Sequence, residues 1–124
     1  MSPLISIVMA TYNGEKYLRE QVDSLLAQSY PSLEFVFVDD ASSDSSLAIL
    51  RKYALTDSRI HIVANTVNQG LLSTFETGIR AAKGEMMALA DQDDVWMLDK
   101  ISLLAGAIGS HSMIYADSAL TNAA

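Results

Sequence analysis

The sequence predicts an α/β fold built on a mostly parallel sheet, and three observations predict it. Five short apolar runs alternate with segments of helical period, the pattern of strands joined by crossover helices. The first run, Ile5 to Ala10, is dense in apolar residues, as a strand covered on both faces should be. Three of the runs end in polar motifs, and in open parallel sheets ligands bind beyond the carboxyl ends of the strands.

Each element can be justified in order. The first strand stops at Thr11-Tyr12-Asn13-Gly14, after which Leu18, Val22, Leu25 and Leu26 form one stripe of a helix that Pro31 cannot continue. The second strand, Phe35 to Val38, runs into Asp39-Asp40. Ser42, Ser43 and Asp44 then offer N-caps for a helix striped by Leu47, Leu50 and Ala54. A third strand, Ile60 to Ala64, leads through Asn65 to Gly70 into a helix that carries Leu72, Phe75, Ile79 and Ala82 inward and ends at Gly84. The fourth strand, Met86 to Ala90, delivers Asp91-Gln92-Asp93-Asp94. A last helix with Ile101, Leu104, Ala105 and Ile108 precedes a fifth strand near Met113 to Tyr115. Right-handed crossovers would bring Thr11-Tyr12-Asn13, Asp39-Asp40 and Asp91 to Asp94 to one edge of the sheet.

Composition narrows what that edge can do. At 124 residues, half of them apolar, the chain is one domain with a single core. A formal charge of −7, from 15 acidic against 8 basic residues, argues against a nucleic-acid binder. An anionic ligand needs local help, and a metal ion suits an acidic protein best. The absence of cysteine excludes disulfides, thiolate metal sites and cysteine nucleophiles. No leader pattern is present and no stretch approaches the roughly 18 apolar residues of a membrane span, so a cytoplasmic protein is expected.

Asp91, Asp93 and Asp94 repel one another, and a cation would offset that repulsion. The run therefore reads as a site for Mg²⁺ or Mn²⁺ carrying a nucleoside diphosphate, against the alternative of a solvated turn capping the next helix. A calcium loop does not fit, because its glycine and closing glutamate positions fall on Trp96 and Ser102. Asp39 and Asp40 can accept hydrogen bonds from a base or ribose, or can cap the helix that follows. Thr11-Tyr12-Asn13 reads as a capped turn or as an edge and aromatic face against a base. Trp96 is a core anchor or a pocket wall. His61 and His111 lack a carboxylate or second histidine at ligand spacing and read as structural or surface residues, while Arg80 and Lys83 fall on a solvated helix face. Neither G-x-G-x-x-G nor G-x-x-x-x-G-K-[ST] occurs, so phosphates must be held without a glycine cradle.

Taken in order, S-I-V-M-A-T-Y-N from Ser6, F-V-F-V-D-D-A-S-S-D from Phe35, N-Q-G from Asn68, A-K-G-E from Ala82 and D-Q-D-D-V-W from Asp91 resemble glycosyltransferase family 2. The resemblance covers nearly the whole chain. It implies a Rossmann-like GT-A fold that binds a nucleoside diphosphate sugar with Mg²⁺ or Mn²⁺ and transfers the sugar, with inversion, to an acceptor hydroxyl. It places the edge formed by Ala10, Thr11, Tyr12 and Asn13, with Glu15, by the base. Asp40, with Asp39, would contact the base, and Asp91 would reach the ribose or sugar side. Asp93 would be the metal ligand, Asp94 would face the sugar or support the metal shell, and Gln92 belongs to the same nucleotide-sugar-binding loop. The D-Q-D-D-V-W form looks like rhamnosyl-transferring members, which suggests a dTDP-linked donor beside the UDP-linked alternative.

The same resemblance puts the catalytic base beyond residue 124. Residues 1–124 are thus expected to be the N-terminal, donor-binding portion of an enzyme of bacterial polysaccharide or cell-surface glycan synthesis. The acceptor half, taking a glycan or lipid-linked acceptor, would be absent. That truncation predicts donor and metal binding without turnover, an apolar edge open to homo-oligomer formation, and in the full enzyme a peripheral seat at the inner face of the membrane. Rival readings fit less well. A receiver-type signalling domain would carry its acidic pair after the first strand, where Thr11-Tyr12-Asn13 stands. A sugar nucleotidyltransferase would want a glycine-rich basic loop there, and Ala10 to Tyr17 holds only Gly14 and Lys16. A nucleotide- or metal-binding fragment without catalysis is the remaining alternative.

Overall fold

The computed structural model describes residues 3–91 and the strand at 113–115. Its elements are β1 (Ile5–Thr11), α1 (Glu15–Leu26), β2 (Leu33–Asp39), α2 (Ser46–Thr56), β3 (Ile60–Ala64), α3 (Leu71–Ala81), β4 (Met86–Asp91) and β5 (Met113–Tyr115). Every strand pairing is parallel and the sheet order is β3-β2-β1-β4-β5. The α/β class with a parallel sheet is as the sequence predicts. The expected helix with Ile101, Leu104, Ala105 and Ile108 lies outside the described residues, as do Gln92, Asp93, Asp94, Trp96 and His111.

Strand alternation divides the core in two. Ile5, Ile7 and Met9 of β1 and Leu33, Phe35 and Phe37 of β2 face α1 and α2, meeting Leu18, Val22, Leu25, Ile49 and Leu50. Val8, Val36 and Val38 point to the other face, with Val63, Phe75 and Leu89. Burying one such side chain is worth about 1.5–3 kcal/mol, so the seven-residue strands β1 and β2, buried throughout, hold the domain together. Arg59 closes the first layer with its guanidinium 5.0 Å from the Phe35 ring centre. Gln21 is the exception in α1. It is fully buried, and among the described residues neither polar atom of its amide has a partner, a desolvation cost of about 1–3 kcal/mol.

The third helix corrects the sequence reading. Leu72, expected inward, is 86% exposed, and the buried residues of α3 are Thr74 and Gly78. Small residues decide this orientation. A Cβ on Gly78 would stand 2.4 Å from Val8 Cγ1 and 3.1 Å from Val38 Cγ2, so the helix backbone rests directly on β1 and β2. An apolar stripe cannot show that the closest approach belongs to a glycine. The helix ends at Ala81 with an extended cap at Ala82, before Gly84. In α2 the predicted stripe holds at Leu50, which is buried, and at Ala54, which packs against the core; Leu47 is half-buried, and Ser46 and Ile49 join the buried face.

At the amino-terminal end of the sheet, buried Glu34 accepts hydrogen bonds from Ser6 Oγ at 2.5 Å and from the Lys83 amide at 2.8 Å. His61 Nε2 lies 3.6 Å from its other oxygen, so the histidine does have a carboxylate neighbour, brought by the β2–β3 pairing rather than by sequence spacing. Arg80 is exposed and pairs with Glu76 on the solvated face of α3, as expected.

Candidate functional site

The connection after β1 goes to α1 on one face of the sheet, and α3 leads into β4 from the other face. Strand order therefore reverses between β1 and β4, which opens a crevice at their carboxyl ends. The register fixes what lines it. Ala10 pairs with Asp91 on one side, and Thr11 pairs with Asp39 on the other. The three motifs expected to converge thus stand on three adjacent strands. Of the acidic run, Asp91 is placed by its backbone at the end of β4; Gln92, Asp93 and Asp94 lie outside the described residues.

The loops beyond the strands are laced by their own polar side chains. Asn13 adopts φ 49°, a left-handed conformation that asparagine tolerates better than most residues. Its Oδ1 accepts the Ser43 amide at 2.8 Å, and its own amide donates to Ser42 Oγ at 2.9 Å. The Gly14 amide donates to Ser46 Oγ, and the Glu15 amide to Asp44 Oδ2. Asp44 also accepts the Ser46 amide at 2.9 Å and so serves the first turn of α2, whose N-cap position is Ser45. The predicted caps Ser42 and Ser43 instead bind Asn13, joining the turn after β2 to the turn after β1.

Asp39 and Asp40 are buried and their carboxylates point in different directions. Asp39 takes both the amide of Ser42, at 3.0 Å, and its hydroxyl, at 2.6 Å. That pair of bonds holds the turn in which Ala41 sits at φ 60°, a strained value for alanine. Asp40 Oδ1 accepts Asn65 Nδ2 at 2.9 Å and the Gln69 amide at 2.8 Å, and Oδ2 accepts the Gly70 amide at 3.0 Å. Burial alone would raise the Asp40 carboxyl, but the hydrogen bonds from Asn65, Gln69, Gly70 and Thr74 outweigh it and hold the group below the ordinary aspartate range. Gly70, at φ 90°, is the N-cap of α3, so this carboxylate lies against the positive end of a helix. Asn65 and Gln69 enter the site through these contacts, and Asn68 through its Nδ2, which donates to the Asp40 carbonyl at 3.2 Å; the N-Q-G signature marks Asn68 and Gln69 in the sequence but not Asn65.

Tyr12 is half exposed at 47%, and Glu15 is exposed at the start of α1. Glu15, Asp39, Asp40 and Asp44 make this edge acidic, with Lys16 the only cation on the adjoining first turn of α1. Among the described residues no group of three His, Cys, Asp or Glu side chains comes together to hold a metal. A groove of about 250 Å³ between α1 and α2, lined by Arg19, Ile49, Lys52, Tyr53 and Thr56, contains none of the predicted site residues. No helix among the described residues is long and apolar enough to cross a membrane.

The sequence profile of "Glycosyl transferase family 2" matches residues 6–120. The chain belongs to glycosyltransferase family 2. This family-2 chain is 37% identical over 99 residues to the putative teichuronic acid biosynthesis glycosyltransferase TuaG of Bacillus subtilis, covering 80% of itself and 39% of that protein. Among solved structures it resembles S. aureus TarS in complex with UDP, with TM-score 0.78 and 31% identity over 87% of this chain and 32% of the other. It also resembles the mannosyltransferase PcManGT from Pyrobaculum calidifontis in complex with GDP-Man and Mn²⁺. There the TM-score is 0.72 at 31% identity, over 77% of this chain and 29% of that one. The family-2 chain thus spans well under half the length of these relatives, and its sheet is the GT-A core they share.

Proposed function

We propose that the protein transfers a sugar, with inversion, from a nucleoside diphosphate sugar to a glycan or lipid-linked acceptor hydroxyl in the synthesis of a bacterial cell-surface polysaccharide. One observation carries the reading. The register sets the Ala10–Asn13 edge, Asp39-Asp40 and Asp91 side by side at the switch point of a family-2 sheet. The base lies along Ala10, Thr11, Tyr12 and Asn13 near Glu15, and Asp91 with Gln92 and Asp94 takes the ribose and sugar side.

An edge this acidic repels a diphosphate unless a cation intervenes. The oxygen-only donor set from Asp91 to Asp94 suits Mg²⁺ or Mn²⁺, and Asp93 is assigned as the ligand. Such an ion, when bound, stabilises charge on the departing diphosphate. The general base is assigned to a segment beyond residue 124. The likeness of D-Q-D-D-V-W to rhamnosyl-transferring members favours a dTDP-linked donor, whereas the UDP of TarS supports the UDP-linked alternative. Calorimetry with UDP and dTDP, each with Mn²⁺ and with chelator, tests the reading. Equal affinity in both conditions would sink it, and sugar transfer by residues 1–124 alone would refute the placement of the base.

A further inference from the structure

The groove between α1 and α2 is lined by cations, whereas the carboxyl edge of the sheet is acidic. Buried Ile49 and half-buried Tyr53 give it apolar surface, and exposed Arg19 and Lys52 reach it from different helices. Among the described residues neither cation pairs with a carboxylate. Helix α1 offsets Lys16 and Arg19 with Glu15, Glu20 and Asp23, but α2 carries Arg51 and Lys52 and no acid. Of those acids, Asp23 touches the lining, and its Oδ1 already takes the Tyr53 phenol at 2.7 Å. The same phenol lies 3.3 Å from the Arg19 carbonyl, so Tyr53 ties the two helices together and fixes the spacing of the groove walls.

We propose that this groove is a second ligand site, which takes the phosphomonoester group of a small molecule or of a lipid headgroup between Arg19 and Lys52. The inference does not rest on the nucleotide site, since no residue of that site lines the groove. Charge selects the ligand. A phosphomonoester carries about −1.5 to −2 at pH 7 and so matches two cations, where a carboxylate would need one. The planar guanidinium of Arg19 can grip two phosphate oxygens at once, and Lys52 adds a point charge. At about 250 Å³ the groove has room for a compact group, and Ile49 and Tyr53 offer apolar surface to its carbon skeleton.

The test compares wild type with Arg19→Gln and Lys52→Gln, both at exposed positions, and with Arg80→Gln, which removes a cation outside the groove. Calorimetry with glycerol phosphate and with glycerate is run without divalent cation, so that metal-dependent nucleotide binding stays silent. Co-sedimentation with vesicles of phosphatidic acid or of phosphatidylcholine covers the lipid source. Affinity for the phosphomonoester is expected to fall roughly tenfold in each groove variant and to stay unchanged in Arg80→Gln. That pattern with glycerol phosphate supports a free small molecule, and the same pattern confined to phosphatidic acid vesicles supports a lipid headgroup. Four results overturn the inference: no binding of either phosphomonoester by wild type, glycerate bound as tightly as glycerol phosphate, an equal loss in Arg80→Gln, or equal sedimentation with phosphatidylcholine, whose headgroup has no net charge.

Discussion

Asn13 Oδ1 accepts the Ser43 amide at 2.8 Å, bolting the turn after β1 to the turn after β2. The same oxygen lies 3.3 Å from Ser43 Oγ and 3.4 Å from the Asp44 amide. One side chain therefore organises the start of two helix connections at the carboxyl edge of β1 and β2.

Asn13→Ala removes this acceptor and puts alanine at φ 49°, so it should destabilise the chain by about 1–2 kcal/mol. Asn13→Gly, free of the backbone penalty, should cost less. Urea unfolding midpoints for the three proteins decide the matter, and coincident midpoints for wild type and Asn13→Ala would take the clamp out of the account.

Gly78 is where α3 touches the sheet. Gly78→Ala gains helix propensity of about 1 kcal/mol but drives its Cβ toward Val8 Cγ1, for a net loss expected near 1–2 kcal/mol. Adding Val8→Ala makes room, and in that background the glycine substitution should cost less. A stability gain from Gly78→Ala in the wild-type background would show that the contact does not limit packing.

Stability should fall at both ends of the pH range. In the folded chain Asp40 and Asp44 titrate below the ordinary aspartate value because their hydrogen bonds outweigh burial, and Asp57 does so chiefly through its bonds from Arg59. A lowered folded value means the unfolded chain binds the proton more readily. Their stabilisation is therefore present above about pH 4 and is lost as pH falls through the folded values. Tyr53 works the other way. Burial and its hydrogen bond to Asp23 push its phenol up to about 12, so its contribution is complete below about pH 10 and fades as pH rises toward that value. Unfolding free energies measured across pH check both limbs, and a flat acid limb below pH 4 would contradict the carboxylate assignments.

Asp93→Asn removes the proposed charged metal ligand and should weaken Mn²⁺-dependent nucleotide binding by roughly 2 kcal/mol or more. Metal-free binding should be unaffected. An isotherm identical to wild type would move the ligand role elsewhere in the Asp91–Asp94 run.

Chain order alone determined the types of the described strands and helices and the parallel sheet, because apolar period and strand-end punctuation are local properties that survive any packing, while the resemblance to the family rests on five motifs in order from Ser6 to Trp96. Thr11, Asp39 and Asp91 could be placed at one edge for the same reason: each ends an apolar run, and crossover handedness does the rest. Tertiary structure decided which way those groups face. Nothing in the spacing of Asp39 and Asp40 shows that one carboxylate turns back to Ser42 while the other reaches 25 residues ahead to Asn65. Nor could an apolar stripe reveal that α3 lies on the sheet through Thr74 and Gly78 while Leu72 faces outward. Hydrogen-bond partners and closest approaches are settled between distant segments, where geometry, not composition, selects which of several capable groups is near enough to bond.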